Sequence, residues 1–342
     1  MDYCFDYQGV ALGDTFEILR ARRSRQKTMP VQEWMNAVDV SGLRKEFGRT
    51  TAVAGLNLQI RRGELFGLVG PDGAGKSTTL RMLATIMLPT HGSGGVVGLD
   101  LVADAESIKR RIGYMPQRFS LYGELSVLEN LEFFADIFKV HGPERQERFR
   151  QVLNFSRLEP FVSRLARDLS GGMKQKLALC CALVHTPDIL FLDEPTTGVD
   201  PISRRELWKL LLQLWRGGTT IVVTTPYMDE AERCERIGFM RQGRLLEVDT
   251  PAQFKVRYPH SMVEIACEER HQARAALLAG EGIQGVEIFG DKIHAKVDAA
   301  CDGLPRLQAI LDQAGIRVHS IKKVPPSVED IFLQLARGPH GS

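Results

Sequence analysis

Leu169-Ser170-Gly171-Gly172-Met173 lies between a glycine-rich turn, Gly70-Pro71-Asp72-Gly73-Ala74-Gly75-Lys76-Ser77, and an apolar run ending in two carboxylates, Ile189-Leu190-Phe191-Leu192-Asp193-Glu194-Pro195. The turn fits G-x-x-x-x-G-K-[ST], in which backbone N–H groups cradle phosphates. A strand-to-helix turn that met no nucleotide would need no Lys-Ser at its end. The turn alone leaves kinases, GTPases and many ATPases open. Leu-Ser-Gly-Gly shortly before an acidic strand end narrows that field to one.

Working outward, Glu64 to Val69 reads as a strand running into the turn, with a helix from Lys76. Ala37 to Ile60 reads as short extended segments. Leu128, Leu131, Phe134, Ala135 and Phe138 recur at helical spacing behind Ser126-x-x-Glu129, a capping-box pattern, so a helical region is expected between Phe119 and Leu169. A helix from Gly172 to His185 stops at Pro187, before the strand Ile189 to Asp193. Asp200-Pro201 suits an N-cap followed by proline at the first helical position, and Thr219 to Thr224 is a β-branched strand. This alternation predicts an α/β fold with a mostly parallel sheet flanked by helices. From about Thr250 the order becomes β-α-β-β-α-β, the pattern of a small ferredoxin-like unit, with a last helix over Ser327 to Arg337. Leu12 to Leu19 aligns loosely with Val328 to Leu335, as though the first residues were the tail of a preceding unit. The basic run Arg20, Arg22, Arg23, Arg25 and Lys27 then reads as a solvated linker.

A chain of 342 residues favours one large domain and a smaller one. A net charge of +2 lacks the basic bias of a dedicated nucleic-acid binder, so no nucleic-acid partner is expected. No stretch approaches the ~20 apolar residues of a membrane span, and no secretory signal core opens the chain. The expected location is cytoplasmic. Cys4, Cys180, Cys181, Cys234, Cys267 and Cys301 show no C-x-x-C pair and read as reduced core residues.

The chemistry of the site follows from the residue types. The unpaired N–H groups of a helix N-terminus stabilise an anion. Lys76 is placed to reach the β- and γ-phosphates, and the Ser77 hydroxyl to ligate Mg²⁺. Asp193 at the strand end is expected to hold Mg²⁺ through water, and Glu194 to polarise the attacking water. Strand alternation sends these neighbours to opposite sides, so only one can face the metal.

These motifs resemble, over about Ala37 to Val248, the nucleotide-binding subunit of an ATP-binding cassette (ABC) transporter. Gly198 to Trp208 and the tail Ser327-Val328-Glu329-Asp330-Ile331-Phe332 resemble ABC-2 type multidrug export ATPases. The resemblance implies a P-loop NTPase cassette with a mixed, largely parallel sheet and a helical subdomain. The expected division is 1–36 as an extension and basic linker, 37–250 as the cassette and 251–342 as the accessory domain. It implies ATP and Mg²⁺ as cofactors, held by Gly70, Pro71, Asp72, Gly73, Ala74, Gly75, Lys76, Ser77 and Thr78. Phe47 stands where an aromatic ring stacks on adenine. Gln117, in Tyr114-Met115-Pro116-Gln117, matches the Q-loop glutamine that contacts Mg²⁺ and acts beside Lys76 and Glu194 in catalysis. Ser170, Gly171 and Gly172 match the signature that meets the γ-phosphate of an opposite subunit, and Gly198-Val199-Asp200 the D-loop across that interface. A second nucleotide-binding domain, identical or different, and ABC-2 type membrane permease subunits are the implied partners, with the chain held peripherally at the cytoplasmic face. The chain departs from the family at Met173, where the signature most often has Gln, and at Pro226, which takes the position of the switch histidine and offers neither a side-chain nor a backbone N–H. The implied function is ATP hydrolysis coupled to export, slowed at this site. The alternative is a cassette that acts mainly by binding ATP beside a competent partner.

Overall fold

The computed structural model describes residues 36–118, 120–298 and 303–336. The loose repeat at Leu12 and the basic run from Arg20 lie outside them. The chain divides into two compact units, Met1–Val248 and Asp249–Ser342.

The first unit is built on two sheets. Strands β1 (Asn36–Phe47) and β2 (Thr50–Arg61) pair as a long antiparallel hairpin, where the sequence reading expected short segments. Leu56, Leu58 and Ile60 point inward while Asn57 and Gln59 alternate outward, the period-two pattern of a half-buried strand. With β4 (His91–Val96) and β5 (Leu99–Asp100) they form a sheet of order β2-β1-β4-β5. The second sheet has the order β10-β9-β3-β8-β7-β6, from β3 (Leu65–Val69), β6 (Ile112–Met115), β7 (Ile189–Asp193), β8 (Thr220–Thr225), β9 (Arg236–Arg241) and β10 (Arg244–Asp249). The pairs β9-β3, β3-β8, β8-β7 and β7-β6 are parallel. Every residue of β3, β7 and β8 is buried, which is why these strands read as unbroken apolar or β-branched runs. Val38, Leu56, Phe66, Phe191 and Val222 belong to one core joining the two sheets.

Helix α1 (Lys76–Leu83) follows β3, and α2 (Ala105–Lys109) precedes β6. The helical region contains α3 (Val127–Ile137) and α4 (Gly142–Ser156). The capping box forms as expected: Ser126 N–H donates to Glu129 Oε2 at 2.7 Å, and Glu129 N–H donates to Ser126 Oγ at 3.2 Å. Buried Asn130 donates to the carbonyls of Tyr122, Leu125 and Ser126, and its Oδ1 accepts from Tyr122 N–H, so one amide holds the turn entering α3. Helix α5 (Gly171–Leu183) leads to β7, and α6 (Pro201–Arg216) to β8. Cys180, Cys181 and Cys234 are buried, and burial pushes the Cys180 thiol up to about 12.

The second unit contains β11 (His260–Cys267), β12 (Ile283–Phe289), β13 (Lys292–Asp298) and β14 (Val318–Val324), in the antiparallel order β12-β13-β11-β14. The intervening helices are Arg270–Leu278 and Gly303–Gln313. Split βαβ connectivity of this kind is the ferredoxin-like arrangement. Val263, Ile265, Ile293 and Ala295 face Ala273, Leu277, Leu307 and Leu311 in its core.

Candidate functional site

Five parallel strands deliver their carboxyl ends to one edge of the sheet, where ligands of open α/β folds bind. From that edge β3 runs into Gly70–Ser77, β6 into Gln117, β7 into Asp193 and Glu194, and β8 into Thr225 and Pro226.

The glycine-rich loop is held by close backbone approach. A Cβ at Gly70, whose φ is +159°, would stand 2.0 Å from Met240 O, and one at Gly75, φ +101°, 2.4 Å from Ala52 O. The loop is tied to the turn between β9 and β10, where Gly243 N–H donates to Ala74 O at 2.9 Å. Pro71, Asp72 and Gly73 stay exposed at its mouth, and Thr78 lies half-buried in α1.

Lys76 is buried. Its ammonium donates to Gly70 O at 2.8 Å and Pro71 O at 3.0 Å, and stands 3.2 Å from Glu194 Oε1. Ser77 Oγ donates to Asp193 Oδ1 at 2.8 Å, closing a contact across 116 residues. Thr224 Oγ1 donates to the same oxygen at 2.8 Å. Asp193 Oδ2 is buried with no hydrogen-bond partner. Asp193 is therefore a fully buried carboxylate whose described partners are two hydroxyls, while the Lys76 ammonium is paired with Glu194. A buried charge without a counter-charge is costly, so this donor set fits a cation. Among the described residues no group of three or more His, Cys, Asp or Glu could hold a metal ion. One buried carboxylate beside the Ser77 hydroxyl fits Mg²⁺, which takes one or two carboxylates and fills its octahedron with water and substrate phosphate.

Glu194 carries the strain of the site. Its φ is +48°, left-handed for a non-glycine residue, a conformation costing on the order of 1–3 kcal/mol and persisting where surroundings over-determine it. Its N–H donates to Thr224 Oγ1 at 3.0 Å and Thr224 O at 3.1 Å. Its carboxylate Oε2 accepts from Gln117 Nε2 at 2.8 Å and Thr197 Oγ1 at 3.2 Å. Alternation alone would send the two acids apart. The turn at Glu194 instead puts Glu194 on Lys76 and Asp193 on Ser77, adjacent residues at the start of α1. Gln117, expected on the metal side, is bonded to Glu194.

Pro226 stands between members of a second network, Thr225 and Tyr227. Buried Glu230 accepts from Thr196 Oγ1 at 2.6 Å and Thr225 Oγ1 at 2.7 Å, with Arg204 Nε 3.7 Å away. Tyr227 N–H donates to Thr225 Oγ1 at 3.0 Å, and the Arg204 guanidinium lies 4.1 Å from the Tyr227 ring centroid. The residues flanking Pro226 are thus fastened to the segment after Glu194 and to α6. His185 is stacked on Phe138 with ring centroids 3.6 Å apart, and His260 begins β11 in the other unit.

Ser170 caps α5 by accepting from Met173 N–H at 3.3 Å. Gly172 lets α5 approach α6: a Cβ there would meet Ser203 Oγ at 2.3 Å, whereas one at Gly171 would meet open space. Ser170 and Gly171 face solvent and share no described hydrogen bond with the glycine-rich loop. Asp200 Oδ1 caps α6 from Ile202 and Ser203 N–H, both at 3.0 Å. Phe47 ends β1 half exposed, with the Lys45 ammonium 5.3 Å from its ring centroid.

Thr197, Thr224, Glu230 and Arg204 escaped the sequence reading. Threonine is ordinary in a β-strand, so Thr224 is hidden by its own propensity. Its role depends on β8 lying between β3 and β7, an order that local patterns do not carry.

Residues 53–197 match the family described as ABC transporter. The probable multidrug ABC transporter ATP-binding protein YbhF of Escherichia coli K12 is 43% identical over 220 residues, 64% of this chain. The chain spans 38% of that relative's length. The daunorubicin/doxorubicin resistance ATP-binding protein DrrA of Streptomyces peucetius is 34% identical over 310 residues, covering 89% of this chain and 93% of that protein. Among solved structures, a dimeric ATP-binding cassette in a post-hydrolysis state with ADP and Pi superposes with a TM-score of 0.57 at 31% identity, covering 62% of this chain and 98% of that one. Nod factor export ATP-binding protein I of Cupriavidus pinatubonensis is 35% identical over 310 residues, 90% of this chain and 93% of its own length. Similarity of that degree along almost a whole relative places the family beyond the cassette core, and the chain belongs to the ABC transporter ATP-binding proteins.

Proposed function

We propose that this chain binds and hydrolyses ATP as a subunit of an ABC-2 type exporter, where closure of a cassette dimer moves separate membrane permease subunits. The observation that carries this reading is the joining of Lys76 to Glu194 and Ser77 to Asp193 where the glycine-rich turn enters α1. Gly70 to Thr78 would cradle the phosphates, with Lys76 exchanging loop carbonyls for phosphate oxygens. Ser77 and Asp193 would hold Mg²⁺, which when bound neutralises charge on those oxygens. Glu194 would take the proton of the attacking water, and Gln117 would orient that carboxylate. Ser170 and Gly171, exposed at the start of α5, with Gly172 buried behind them, suit the composite site of a second cassette, and Phe47 suits adenine. The names of the Nod factor export and daunorubicin resistance relatives support an export direction. Among the described residues no helix is long and apolar enough to cross a membrane, in keeping with separate permeases at the cytoplasmic face. In this reading 37–250 is the working cassette and 251–342 an accessory domain.

Pro226 favours a second reading, a slow cassette acting mainly through ATP binding beside a competent partner. Losing one preorganised donor to a transition state costs on the order of 10²–10³ in rate. Single-turnover hydrolysis separates chemistry from product release. Lys76→Ala is expected to abolish Mg-ATP binding, Glu194→Gln to remove hydrolysis while keeping binding, and Pro226→His to raise the homodimer rate. Unchanged affinity in folded Lys76→Ala would remove the phosphate-cradle assignment. Fast hydrolysis by the unmodified protein, equal to that of Pro226→His, would remove the slow-site reading.

A further inference from the structure

β8 lies between β3 and β7, so its carboxyl end is wedged between the strand that feeds the glycine-rich loop and the strand that ends in Asp193. The register sets Thr224 opposite Leu68 on one side and Asp193 on the other. Thr224 is fully buried, and its hydroxyl meets both acids: it donates to Asp193 Oδ1 at 2.8 Å and accepts Glu194 N–H at 3.0 Å. A hydroxyl has a single proton. Given to Asp193, that proton leaves only lone pairs for Glu194 N–H, so the two bonds fix one another's direction.

The consequences fall on both acids. Oδ1 of Asp193 takes the hydroxyls of Thr224 and Ser77, which leaves Oδ2 as the oxygen without a partner. The Glu194 amide is anchored at the residue whose φ is +48°, the turn that carries its carboxylate to Lys76 and Gln117. The neighbouring Thr225 does not duplicate this contact, because strand alternation sends its hydroxyl to Glu230.

We propose that Thr224 is a positioning residue of the ATPase reaction, its hydroxyl aiming the Asp193 carboxylate at a divalent cation and holding Glu194 in its left-handed turn. The proposal rests on the ATP-hydrolysing reading above. Thr224→Val keeps the β-branched shape and removes the hydroxyl, while Thr224→Ser keeps the hydroxyl. In the valine variant Glu194 N–H retains Thr224 O at 3.1 Å, so no backbone donor is orphaned and the strand is expected to fold.

The experiment uses the full chain with three measurements: ATP affinity in EDTA, the Mg²⁺ concentration that half-saturates the Mg²⁺-dependent gain in ATP affinity, and the single-turnover rate. Groups that orient a metal ligand typically change metal affinity or activity by about 10–100-fold when removed. Thr224→Val is expected to raise the Mg²⁺ midpoint and lower the rate within that range while leaving affinity in EDTA unchanged. Thr224→Ser is expected to return both toward the parent values. A valine variant with the parent's Mg²⁺ midpoint and rate overturns the proposal, as does a serine variant no better than valine. If the parent binds no ATP, or Glu194→Gln hydrolyses as fast as the parent, the ATPase reading itself has failed and this proposal falls with it.

Discussion

Gly75 has no room for a methyl group. Its φ of +101° is strained for any L side chain, and a Cβ would lie 2.4 Å from Ala52 O and 2.8 Å from Met240 Cε. The carbonyl is backbone of β2 and cannot retreat as a side chain can. Gly75→Ala is therefore expected to displace the loop, lowering the thermal midpoint and abolishing ATP binding together. Gly73, at φ +75°, has nothing within 4 Å of its Cβ position, so Gly73→Ala carries only the left-handed penalty of about 1–2 kcal/mol. Retained ATP affinity in Gly75→Ala would show that the loop tolerates the shift. The contrast separates two glycines that a motif treats alike.

The helices and strands of the site are tied by buried or capping polar groups. Glu230 joins β8 to α6 through Thr225, Thr196 and Arg204, so Glu230→Ala would leave those donors facing one another. Removing one partner from a buried ionic network costs on the order of 3–5 kcal/mol, and denaturant unfolding of Glu230→Ala is expected to show a loss at the low end of that range, since Arg204 is partly exposed. At the start of α6 the Ser203 N–H and hydroxyl, followed by Ile202 N–H, lower the Asp200 carboxyl below its usual range. A lowered folded value means that the cap's contribution is present above the unfolded pKa of about 4 and is lost as pH falls through the folded value. The stability difference between the parent and Asp200→Asn is expected to shrink on acidification through that window. A difference that does not change with pH would show that the charge adds nothing to the cap. Such caps were legible because Ser126-x-x-Glu129 and Asp200-Pro201 are local patterns. The same holds for β3, β7 and β8, whose apolar runs are short and bounded. The length of the β1-β2 hairpin was not legible, because its bulged register interrupts the alternation at Val40 to Arg44 and Lys45 to Glu46. Thr224 and Glu230 were hidden for a different reason, since their partners come from strands and helices distant in the chain.

For the whole molecule, the two units have separate hydrophobic cores. Ending the chain near Thr250 is expected to leave an ordered, ATP-binding first unit. Circular dichroism of that truncated protein decides the point, because an unfolded spectrum would mean that the units depend on one core.

The bond from Ser77 to Asp193 spans 116 residues, with α2, α3, α4 and α5 lying in the chain between them. Contacts of such high sequence separation are slow to form, because loop-closure entropy is spent before they stabilise anything. The nucleotide site is then among the last features to appear during refolding, after helices such as α3 that are capped by their own neighbours. In stopped-flow refolding, recovery of a fluorescent ATP analogue's signal is expected to lag behind far-ultraviolet ellipticity. Coincident phases would mean that the glycine-rich loop and the acid pair meet early and guide the chain to its fold.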